Sequence, residues 1–222
     1  MAVAGKTRLS RKAIKQPDEF ITLTNRALMW ARDHQQIVMW GGAGLLAVFV
    51  ALGIAGAYRG ARDRDANADL ARAINKLQAK DYAGAATALI DLSGRWEGTG
   101  VAPVAALLGA NAAITGGDPD KAIAELSHLQ GQSAALPSYL QQQVLLAWGT
   151  ALEGKQQWSD AAAKYKDAAA MSGPYTADAI LGEARTRALG GDADGARDLY
   201  RQAYQQFPDL PDREVIAAKA QL

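Results

Sequence analysis

The sequence predicts an all-α protein: a single N-terminal transmembrane helix, then an α-solenoid of about four helix pairs with a C-terminal capping helix. Three observations predict it. Residues 37–58 form a run of 22 without a charge. The chain beyond them falls into segments of similar length that align on an alanine. Aromatic residues make up only 7% while alanine is abundant, which suits helices meeting through small side chains and suits strands poorly.

Residues 1–16 contain Lys6, Arg8, Arg11, Lys12 and Lys15 with few large apolar groups. They read as a basic disordered tail drawn to anionic lipid headgroups. Nothing in them interleaves aromatics with the basic residues, so no nucleic-acid partner is expected. Residues 17–36 read as an amphipathic juxtamembrane helix. Pro17, Asp18 and Glu19 suit a first turn, and Phe20, Leu23, Ala27, Trp30 and Ala31 share one face at helical spacing.

Residues 37–58 are the expected transmembrane helix. At ~1.5 Å per residue the run reaches ~33 Å, enough for a hydrocarbon core of ~30 Å. Trp40 and Tyr58 stand near its ends, where amphipathic rings favour headgroups. A buried core helix and a cleavable signal sequence ending near Ala55-Gly56-Ala57 are the competing readings. The unbroken length disfavours the first, and the 36 residues before the run disfavour the second. Ala43, Ala47, Ala51 and Ala55 recur every four residues, a spacing that lets another helix approach closely.

Charge alone leaves the orientation open. Residues 1–36 carry a net +4 and residues 59–222 a net −3, which favours a cytoplasmic N-terminus. Close to the run the balance reverses: Arg26 and Arg32 precede it, whereas Arg59, Arg62, Arg64, Arg72 and Lys76 follow. The overall charge of +1 points to no polyanionic partner. With no cysteine, neither a disulfide nor a thiolate site is available.

In residues 59–222 four segments align on Ala85, Ala122, Ala161 and Ala196, at intervals of 37, 39 and 35 residues. Four residues on stand Leu89, Leu126, Tyr165 and Tyr200; seven on, Leu92, Leu129, Ala168 and Ala203. Twelve residues back stand Ala73, Ala110, Gly149 and Ala184. Small residues at matched places let two antiparallel helices touch, and the larger residue one turn later fills the space toward the next pair. The linker from Arg95 to Gly100 is irregular, and Pro211-Asp212 opens a last short helix carrying Val215, Ile216 and Leu222.

This pattern resembles the tetratricopeptide repeat family, most clearly in Trp148-Gly149, Leu152, Trp158, Ala161, Tyr165, Ala168 and Pro174. Ala184, Gly191, Ala196, Tyr200, Ala203 and Pro208 follow the same scheme. The first two segments depart from it: they lack the aromatic, and their intervals exceed the family's ~34 residues. The resemblance implies a tetratricopeptide-like α-solenoid with a protein-binding groove. Carried onto this chain, the groove would be lined by Leu107, Asn111, Leu146, Thr150, Leu181 and Arg185.

Chemistry is sparse. His34 and His128 have no ligand pattern beside them. Asp118 and Asp120, like Asp192 and Asp194, fit helix starts, and the glycine pairs at 116–117 and 190–191 fit helix ends rather than a phosphate loop. The expectation is a non-enzyme with no cofactor, no metal and no small-molecule substrate.

The order of basic tail, short helix, single span and degenerate repeats resembles the bacterial YfgM family over nearly the whole chain. That resemblance implies an inner-membrane protein with its N-terminus cytoplasmic and its repeats periplasmic. It also implies partners in the Sec translocon, periplasmic chaperones and client polypeptides, besides membrane lipid. A scaffold subunit of another envelope complex, for cell division or secretion, is the alternative.

Overall fold

The computed structural model describes Arg32 and residues 34–221, with the side chains of residues 35, 37, 38 and 40–44 outside the described set. The expected tail of residues 1–16, most of the helix over 17–36, and the side chain of Ala43 therefore lie outside the described residues. Among those described there are nine α-helices, one 3-10 turn and no strand. They are α1 Gln35–Gln78, α2 Tyr82–Arg95, α3 Val101–Thr115, α4 Pro119–Gly131, α5 Ser138–Gly154, α6 Trp158–Ala170, α7 Thr176–Leu189, α8 Ala193–Gln206 and α9 Arg213–Ala220. The 3-10 turn is Ser133–Ala135.

The chain divides into two compact units, Met1–Tyr58 and Arg59–Leu222. The stretch Leu45–Gln78 of α1 is long and apolar enough to cross a membrane by length and composition, and none of its apolar window is buried. Leu45, Leu46, Val48, Phe49, Val50, Leu52 and Ile54 are 53–65% exposed. Ala47, Ala51 and Ala55 are exposed too, and nothing lies within 4 Å of where a side chain would sit on Gly53 or Gly56. The small-residue stripe has no partner helix among the described residues.

In the second unit, from α2 onward, each helix packs on the next, and α3 on α5 and α5 on α7. Neighbour-on-neighbour packing with alternate helices also touching is consistent with a solenoid of helix pairs. Its first member is the C-terminal part of α1, where Ala66, Leu70, Ala73 and Leu77 fall on one helical face and join the core. All of the aligned small and large positions named above, four in each of four segments, are buried.

The turns inside the pairs repeat a single geometry. Each is three residues long, and its middle residue is left-handed: Lys80 (φ 60°), Gly117 (φ 82°), Gln156 (φ 59°) and Gly191 (φ 94°). The next residue's N–H reaches back five positions, Asp81 to Lys76, Asp118 to Ala113, Gln157 to Leu152 and Asp192 to Arg187, at 2.8–3.0 Å. That closing bond satisfies a carbonyl that the helix end leaves open. Asp81, Asp118 and Asp192 then cap the second helix by accepting from Gly84, Lys121 and Gly195 N–H. Gln157 makes no such bond.

Because an ordinary side chain is disfavoured in the left-handed region, Lys80→Gly and Gln156→Gly should each stabilise the domain by about 0.5–1 kcal/mol. Gly117→Ala and Gly191→Ala should destabilise it by about the same. Urea midpoints for the four variants read the sign directly.

The connections between pairs are less regular. In residues 96–100 the Trp96 indole N–H donates to Asp69 at 2.9 Å, and Asp69 also pairs with Arg72 and Arg95. Over 171–175 the buried Gln142 does the holding: its amide donates to the Ala168 carbonyl at 3.0 Å and accepts from Tyr175 N–H at 3.1 Å. At the far end Ile216 and Ala220 of α9 cover Ala184, Ala196 and Tyr200. Val215, expected in that cap, is instead 52% exposed, since it stands next to Ile216 and so faces about 100° away from it. Leu222 lies outside the described residues.

Candidate functional site

The residues assigned to a groove sit in pairs four apart on α3, α5 and α7, the helices that pack side by side. They do not form one open lining. Leu107 is buried in the core, because three residues before Ala110 it shares that alanine's inward face. Leu146 and Leu181 are half-buried against neighbouring core clusters. Asn111 and Thr150 are exposed, with the Thr150 hydroxyl bonded to the Leu146 carbonyl at 3.0 Å.

Arg185 is committed to a partner. Its Nε and Nη2 donate to both oxygens of Glu153 at 2.9 and 2.6 Å, a bidentate bridge between α7 and α5. The Tyr165 hydroxyl also donates to Glu153 and lies 3.0 Å from Thr150 Oγ1. Two glycines create this knot. A Cβ on Gly149 or on Gly182 would sit 2.7 Å from the Tyr165 ring, so only hydrogen at both places admits the ring between α5 and α7.

Burial first, and then the bond to Glu153, push the Tyr165 phenol up to about 12. Hydrogen bonding to Glu153 raises Arg185 further above its ordinary range. Both shifts lead further from neutral pH, so the phenol stays protonated and the guanidinium charged within the knot. Such a set locks neighbouring helix pairs together and leaves no base or nucleophile unengaged. A second bridge, Arg187 with the buried Glu183 and with Asp192, holds the end of α7, and its hydrogen bonds to Glu183 raise Arg187 as well.

The other candidates for chemistry are dispersed. His128 is exposed, 3.4 Å from the Gln132 amide, and His34 is exposed at the start of α1. Asp118 and Asp192 are caps, as their positions predicted; Asp120 pairs with Lys155 and Asp194 with Arg197. Among the described residues no three of His, Asp and Glu gather where they could hold a metal ion.

The sequence reading missed a concavity between two of the connections. It has a volume of about 420 Å³ and lies between the connections 96–100 and 132–137, with residues from α2, α3, α4 and α5 contributing. Leu129 and Leu140 form part of its floor, Val104 and Tyr139 its rim, and Glu97, Glu125 and His128 its ionisable lining. Only the irregularity of the 95–100 linker hinted at it. No protein-family model matches this chain, and no curated protein matches it.

Proposed function

We propose that this chain is a membrane-anchored, non-enzymatic scaffold in which tetratricopeptide-like helix pairs bind other polypeptides. The observation that carries the reading is an unburied apolar helix in the same chain as an array of helix pairs. Leaving so many large apolar side chains in water is costly at roughly 25 cal/mol per Å², and a bilayer removes that cost. Arrays of helix pairs offer extended surfaces rather than enclosed reaction sites, which suits capture of chains over chemistry.

The finer reading is an inner-membrane protein with a cytoplasmic N-terminus and periplasmic repeats, serving the Sec translocon or handing clients to periplasmic chaperones. Its support is the YfgM-like order of segments and the net +4 of residues 1–36. Photo-crosslinking in cells tests it, with the reactive residue placed at Asn111, Thr150 or Ala47. Translocon subunits and unfolded envelope proteins are the expected partners. Components of a division or secretion complex would move the scaffold to that assembly, and an absence of protein crosslinks from every position would contradict the scaffold role.

A further inference from the structure

We infer that the pocket between residues 96–100 and 132–137 takes a polypeptide segment in which a bulky apolar side chain stands beside Lys or Arg. The inference rests on the polypeptide-binding reading above but places the contact away from the α3, α5 and α7 positions assigned to the groove.

The apolar half follows from exposure. Beyond Tyr58, four large apolar side chains among the described residues are left well exposed: Val104, Tyr139, Leu189 and Val215. Two of them, Val104 at 39% and Tyr139 at 52%, edge this one pocket. Beneath them Leu129 and Leu140 are buried, so an entering side chain meets an apolar floor. At about 420 Å³ the space lies within the range of sites that hold small ligands or anchoring side chains.

The charged half follows from an imbalance. Glu97 and Glu125 line the pocket, and no Lys or Arg does. Neither carboxylate is in an ion pair among the described residues, a state they share with most acidic side chains of residues 59–222, and Arg62 donates to the backbone carbonyl of Glu97 at 3.4 Å. One oxygen of Glu125 accepts from the Ser93 hydroxyl at 3.0 Å, which fixes the group while leaving its charge uncompensated. Two carboxylates without an ion-pair partner beside an apolar floor complement a cation next to an apolar side chain, and they repel acidic segments.

The test uses the full chain in detergent micelles and fluorescence anisotropy of a short labelled peptide carrying a leucine between lysines. Binding should weaken about tenfold when the peptide lysines become glutamates, or when its leucine becomes serine. Glu97→Gln with Glu125→Gln should weaken it about tenfold and flatten its salt dependence. Tyr139→Ser should weaken it while leaving the salt dependence in place. Circular dichroism checks that each variant stays helical.

Equal binding of the acidic and basic peptides, or no effect of the paired glutamate variant, would overturn the inference. So would self-association of the chain through Val104 and Tyr139, which sedimentation would reveal. If clients crosslink at Asn111 and Thr150 but the peptide ignores the pocket, the pocket assignment fails and the scaffold reading stands. If neither surface takes polypeptide, both fail.

Discussion

Gly182→Val should cost the repeat domain about 3 kcal/mol. The first added carbon would lie 2.7 Å from the Tyr165 ring, well inside van der Waals contact, and two methyl groups follow it. Tyr165 cannot retreat, because Gly149 on the opposite helix meets the same ring at the same distance. Overpacking of this kind costs about 1–3 kcal/mol and more where neighbours are fixed. Leaving glycine inside a helix returns at most about 1 kcal/mol, so the clash wins.

The thermal midpoint should fall by several degrees, at roughly 2–4 °C per kcal/mol for a domain of this size. Two companions make the reading specific. Gly94→Ala, in a helix with nothing within 4 Å of the added carbon, should stabilise slightly. Tyr165→Leu should be harmful alone yet recover part of the loss in the Gly182→Val background, a coupling that a double-mutant cycle measures. Additive losses would mean that the ring and the glycine are not in contact.

Leu46→Arg with Val50→Arg should abolish membrane insertion while leaving the helix pairs of residues 59–222 folded. The nine Ile, Leu, Val and Phe residues of the apolar run favour insertion by about 0.3–0.6 kcal/mol each near a helix centre, together about 3–5 kcal/mol. Each central arginine opposes it by about 2.5–3.5 kcal/mol, so the pair contributes about 5–7 kcal/mol and reverses the balance. Flotation of membranes from cells making each variant measures it. The double variant should leave the floating fraction, and a single arginine should leave it only in part.

Burial at the repeat positions was legible because it rests on spacing. Ala85, Ala122, Ala161 and Ala196, with the residues four and seven beyond and twelve before, needed no knowledge of distant contacts. The helix-ending glycines were legible at Gly117 and Gly191. The same left-handed turn at Lys80 and Gln156 was not, because the backbone adopts it there without the residue that announces it. Leu107 was misplaced for a different reason. α3 is so apolar, ten of its fifteen residues being Ala, Leu or Val, that its periodicity does not separate an open face from a buried one. The bridge from Arg185 to Glu153 joins residues 32 apart in sequence, and no local pattern encodes which side chains meet when α5 and α7 pack. The pocket at Glu97 and Glu125 escaped notice likewise, being formed by two connections that chain spacing does not relate.

The membrane-anchored reading depends on the apolar part of α1 residing in lipid, and alkaline carbonate extraction tests that most directly. Membranes from cells producing the full chain, washed at high pH to strip peripheral proteins, should retain it in the pellet and release it only with detergent. Its quantitative appearance in the carbonate supernatant as a dispersed, helical protein would contradict a membrane anchor.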